Sequence, residues 1–155
     1  MDLVVARIIH VLSIVMWIGG VGFVTTVLFP SIRRSTAPVG RLAAFVQFEN
    51  TFSGQARVSV ALAGLSGLYM TWRLDAWSRF ASVPFWWMDA MVALWTAFAL
   101  VLFVLEPLVV HPRLRSALDS GDSSRLFDRM ERFHRVMLVL SLVTVLGAVG
   151  GSHGL

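Results

Sequence analysis

Cysteine and lysine are both absent from this chain. Without thiols there is no disulfide, no thiolate metal site, no cysteine-ligated haem and no covalent c-type haem attachment. Charge is scarce too: 14% of the 155 residues are Asp, Glu, Lys or Arg, against about a quarter in an ordinary soluble domain. All 13 basic residues are arginine, and the formal net charge is +4. A pI near 11.3 alone would suit nucleic acid. These arginines, however, stand in short stretches between apolar runs, where they orient a chain in a membrane. Nucleic acid is not expected as a partner.

What the chain does have is apolar and aromatic bulk. Hydrophobic residues make up 57% of it, with six Trp, eleven Phe and a mean hydropathy of +0.75. That is the composition of an integral membrane protein with aromatic belts. Its first apolar run, residues 8–32, contains no Asp, Glu, Lys or Arg and one ionisable side chain, His10. About 20 apolar helical residues cross a ~30 Å hydrocarbon layer, so this run should span. Residues 1–7 are too few for a soluble domain, and no small-residue cleavage site follows the run. A removable signal peptide is therefore not expected.

The pattern predicts an all-α fold, a single transmembrane domain over residues 1–155 built as a four-helix bundle. Its spans fall at about 4–30, 57–73, 85–110 and 133–151. Pro30 and the stretch SIRRSTAPVG should end the first helix. Residues 42–55 read as either an interfacial helix or an extension of the second span. The uncharged core of that span, residues 58–72, is short for the layer, so Arg57 or Arg73 must snorkel or lie inside the bundle. His111-Pro112 should close the third span, and a polar loop from Arg113 to Arg132 should precede the fourth.

Arginine counts give the orientation. Ten fall in the first and third loops with their adjoining helix ends, and only Arg7, Arg73 and Arg79 on the other side. The positive-inside rule then puts both termini outside, in an inner (plasma) membrane of bacterial type. His10 and His153 fall in the outer layer, His111 and His134 in the inner one.

Imidazoles at matched depth on facing helices are the usual axial pair for a six-coordinate haem b. The outer site would use His10 and His153, a second, inner site His111 and His134. Gly20 and Gly64 would let backbone approach a flat macrocycle, and Trp17, two turns along from His10, would cover it. Asp89 would fix a histidine tautomer or simply complement its helix N-terminus. Arg57 would hold a propionate, or set orientation while pairing with Glu49 or Glu106. Gly147 and Gly151, four apart, suit helix association, within one chain or in a homodimer.

The pattern His10, Trp17, Gly19-Gly20 resembles the opening helix of the CopD-like and HemJ-like membrane proteins, which show His-x6-Trp-x-Gly-Gly there. The stretch from Arg57 through GLSGLYM also resembles their Arg-led, Gly-rich helix. The HemJ-like resemblance implies haem b binding and protoporphyrinogen oxidation, with His10 as the matching histidine. The characteristic lysine of that group has no counterpart in a chain without Lys. The CopD-like resemblance implies copper transport or an accessory role, and the methionines that would serve Cu(I) look scattered along the chain. The expected function is a membrane b-type cytochrome that passes electrons to or from quinone or another redox protein, with copper as the alternative.

Overall fold

The computed structural model describes residues 1–110, 112, 114, 116 and 123–153. The expectations placed on His111, Arg113 and Arg115 lie outside the described residues. Among the described residues the chain is helical and forms no strand. Three helices, Asp2–Ser35, Val83–Val109 and Ser123–Ser152, are long and apolar enough to cross a membrane. The helix Arg41–Arg73 has comparable length at 33 residues, but its first half is too polar to join them.

Helix α1 (Asp2–Ser35) does not stop at Pro30 as expected. Proline lacks an N–H, and its ring would strike the carbonyl four residues back. The chain takes up that conflict by widening to i→i−5 hydrogen bonding over Val24–Leu28, where the Phe29 N–H donates to the Val24 carbonyl. Pro30 then sits in the first turn of the resumed helix, where its missing donor costs nothing. Thr25 donates to the Val21 carbonyl at 2.7 Å and Thr26 to Gly22 at 2.8 Å, keeping both hydroxyls satisfied. Extended Thr36 ends the helix, two residues before Pro38.

Helix α2 (Arg41–Arg73) is continuous, so residues 42–55 and 57–73 belong to one helix. It ends where Asp75 turns left-handed, φ 46°, a conformation Asp tolerates. Helix α3 begins at Trp86–Leu100 and widens in its turn over Val101–Val110, around Pro107. Helix α4 (Ser123–Ser152) starts well before the expected Met130 or Phe133. Its extra turns are amphipathic, with Ser123, Phe127 and Glu131 buried, which is why the polar reading of this stretch as loop fails.

The helices turn small polar residues inward and aliphatics outward. Ser13, Ser59, Ser66, Ser141 and Thr144 are buried, while Leu12, Leu65, Leu108 and Leu146 stand exposed. Of the most apolar stretch in each of these three long apolar helices, at most 28% is buried. So much outward apolar surface has lipid as its natural solvent. One core, around Trp17, Val60, Ala63 and Phe98, holds the middle of the bundle. A second, around Phe29, Phe45 and Phe127, closes the Arg-rich end, where Phe29 and Phe45 stack at 4.7 Å.

Candidate functional site

The glycine stripe of α2 has a specific job. In a helix the carbonyl of residue i lies beneath the Cβ of residue i+4, so a glycine there leaves the carbonyl open to a visitor. Gly64 opens the Val60 carbonyl, and Trp95 of α3 donates its Nε1–H to it at 2.8 Å. A Cβ on Gly64 would stand 2.5 Å from that indole. Gly67 opens the Ala63 carbonyl, and His10 of α1 donates its Nδ1–H to it at 2.9 Å, with Ser66 Oγ at 3.1 Å. A carbonyl only accepts, so the proton is on Nδ1, and in the neutral ring Nε2 carries the lone pair. His10 thus ties α1 to α2.

Gly20 and the two glycines expected to serve helix association are also covered by rings of this chain. Phe52 lies over Gly20, Trp86 over Gly147 and Trp87 over Gly151. These contacts are intrachain packing. His153 is exposed and donates Nδ1–H to the Val149 carbonyl of its own helix at 2.8 Å. Asp89 is exposed in the first turn of Trp86–Leu100. Trp17 packs edge-on against Phe98, 4.7 Å between centroids.

Space opens towards the Arg-rich end. A cavity of about 320 Å³ lies among all four helices, within the usual range for small-molecule and cofactor sites of roughly 300–1,000 Å³. Its walls are mostly aliphatic and aromatic, and its polar groups are few: Glu49 and Ser53 from α2, Glu106 from α3, Arg129 and His134 from α4. Trp17 contributes the α1 wall. Its Nε1–H and the Glu49 Oε2 are both buried without a hydrogen-bond partner.

Arg57 explains how a charged residue is tolerated at this depth. In the widened segment of α3 the Leu102 carbonyl would take its proton from residue 107, which is proline. Arg57 supplies the missing donor, Nε to the Leu102 carbonyl at 3.1 Å. The other arm of the guanidinium meets Glu106 at 3.1 Å. Arg57 therefore lies inside the bundle, with Glu106 as its carboxylate partner, whereas Arg73 pairs with Asp2 at 2.9 Å at the opposite end. Wide turns of this type are frequent at functional sites.

His134 is set between Phe29 and Phe45, at 5.3 and 5.9 Å between ring centroids. It donates Nδ1–H to the Met130 carbonyl at 2.9 Å, so Nε2 again carries the lone pair. Of the sequence-predicted residues, His134 and Trp17 line the cavity, while His10, His153, Gly20, Gly64, Arg57 and Asp89 do not. Sequence reasoning missed Ser53, Met130 and Met137 as wall residues. The two methionines carried a signal, since positions 130, 134 and 137 share one helical face. They look scattered along the chain but flank His134 in space. No cluster of three or more His, Cys, Asp or Glu able to hold a metal ion occurs among the described residues. Comparison with protein families, with characterised proteins and with solved structures gives no match for this chain.

Proposed function

We propose that this chain is a four-span membrane b-type cytochrome that holds haem b in the cavity at its Arg-rich, cytoplasmic end, with both termini outside. The observation that carries the reading is His134: an imidazole in an apolar cavity wall, its Nδ1–H bound to a backbone carbonyl so that Nε2 is left to a ligand. That second hydrogen bond is what orients a metal-binding histidine and raises its basicity. The cavity has the aromatic walls a macrocycle packs against, its volume of about 320 Å³ would have to widen to take a whole haem, and Arg129 would hold a propionate. The terminal end fits less well, because rings of this chain already cover Gly20, Gly64, Gly147 and Gly151. When bound, haem b supplies one-electron chemistry, and quinone or a redox protein is the natural exchange partner.

The protein's own part is to orient the His134 ring, wall the site with Phe45 and Phe98, and keep Arg57 occupied by Glu106. Purified protein in mild detergent should show a Soret band and, on reduction, an α-band. The variant His134→Ala should lose both, while His10→Ala keeps them. A colourless preparation, or one in which His10→Ala bleaches the protein and His134→Ala does not, would overturn the reading.

One observation favours a second reading, Cu(I) handling. Met130, His134 and Met137 line the same cavity from one helix face, and thioether with imidazole is a donor set that suits Cu(I). Cuprous titration decides it: tight binding that Met130→Leu and Met137→Leu each weaken, in protein without a Soret band, selects copper over haem.

A further inference from the structure

Glu49 is not needed by either reading. The other described acids are accounted for. Asp2 pairs with Arg73, Glu106 with Arg57, Asp128 with Arg33, and Glu131 with both Arg33 and Arg135. Asp75 and Asp89 face out. Glu49 instead presents a buried carboxyl oxygen without a hydrogen-bond partner to a cavity walled mostly by hydrocarbon. Around that wall, α1 brings no charged group among the described residues, α3 brings the like-charged Glu106, and α4 brings Arg129 and His134. Of the guanidiniums on its own helix, Arg57 is turned to Glu106 and the Leu102 carbonyl, and Arg41 to the Thr36 and Arg33 carbonyls.

A second group in the same cavity is also short of a partner. Trp17 is 4% exposed, and its indole N–H has no acceptor. A buried donor of this kind calls for an oxygen-bearing occupant. The cavity, at about 320 Å³, has room for several waters, each with a share of liquid volume near ~30 Å³. Glu49, Ser53 and His134 line the same cavity, so water in it has polar groups on two helices to bind besides Trp17. An ionised carboxylate in apolar surroundings is costly unless paired, and the usual escape is to take up a proton. A buried carboxyl facing a cavity next to membrane-crossing helices is the kind of group that binds and passes protons.

We propose that Glu49 is a proton-binding site buried between the helices: its carboxylate takes up one proton relayed through cavity water from the solvent at the Arg-rich end and releases it by the same route. The inference goes beyond the haem reading and does not depend on it. The test is infrared spectroscopy of the purified, lipid-reconstituted protein at neutral pH. A carboxylic-acid C=O band, separate from the carboxylate bands, should be present and should shift down in D₂O as the site exchanges. Glu49→Gln should abolish that band and Glu106→Gln should retain it. If Glu49→Gln does not accumulate, Glu49→Asp should move the band instead. No acid band at neutral pH, a band that Glu49→Gln or Glu49→Asp leaves in place, or one lost only in Glu106→Gln, would overturn the proposal.

Discussion

The two ends of this bundle differ in what faces their buried polar groups: packed side chains at one, open space at the other. Towards the termini, His10 and Trp95 each find a carbonyl exposed by a glycine four residues on, and aromatic rings cover Gly20, Gly147 and Gly151, with the Trp87 Nε1–H over Gly151 buried in packing and without a partner. Towards the Arg-rich end, Glu49 and Trp17 keep polar atoms without hydrogen-bond partners beside open space. Buried polar groups are nearly always satisfied in native structures. The first end therefore reads as architecture and the second as a place kept for something else. An intramembrane histidine is a functional hypothesis by default, yet His10 shows that it can equally be a helix-to-helix tie.

The contrast breaks first at Arg57, which borders the open end and holds it together. Arg57→Met removes the partner of a buried carboxylate and the donor to Leu102. Losing one member of a buried pair costs about 3–5 kcal/mol, and since Arg57 is 35% exposed the expected loss is nearer 2–3 kcal/mol. Thermal unfolding in detergent measures it. The double variant Arg57→Met/Glu106→Leu should recover all but about 1 kcal/mol, the share of the unpaired Leu102 carbonyl. A double variant no better than the single one would mean that the charge pair is not what Arg57 is for.

At the closed end the largest effect belongs to Gly64. A methyl there meets the Trp95 indole at 2.5 Å, and that ring is held in place by its hydrogen bond to Val60. Overpacking of this kind costs roughly 1–3 kcal/mol. Gly64→Ala should therefore lower the unfolding temperature clearly and red-shift Trp fluorescence. Gly67→Ala should cost less, because the nearest atom, His10 Cε1, is 3.1 Å away and the ring needs to yield only slightly. Equal costs at the two positions would show that the carbonyl docking of Trp95 does not fix its ring.

The sequence reveals the helices and the ends of this bundle better than its interior. Apolar runs and arginine placement locate the long helices because both are local properties. Pro30 misleads, since a widened turn absorbs the conflict that usually ends a helix, and nothing local in the sequence announces such a turn. Residues 123–129 mislead because their polar character hides a buried face of Ser123 and Phe127. The cavity was not legible at all: it depends on how Glu49, Glu106 and His134 meet across three helices, which is a matter of register. Met130 and Met137 were legible by spacing, as the flanks of His134 on one face.

The smallest effect should come at the rim near the termini. A Cβ on Gly147 would stand 2.5 Å from Trp86, nominally the same overlap as at Gly64. There, however, the atoms met are Cη2 and Cζ2, the far edge of a side chain that is 50% exposed and able to swing outward. Against the cost of that swing stands the helix preference for alanine over glycine, roughly 0.5–1 kcal/mol. Gly147→Ala should therefore change stability by less than about 0.5 kcal/mol, the usual scale for a surface substitution. Gly19→Ala, which meets nothing within 4 Å, is the matched control for helix preference alone. If Gly147→Ala proves as damaging as Gly64→Ala, Trp86 is as fixed as Trp95, and the closed end is rigid out to its rim.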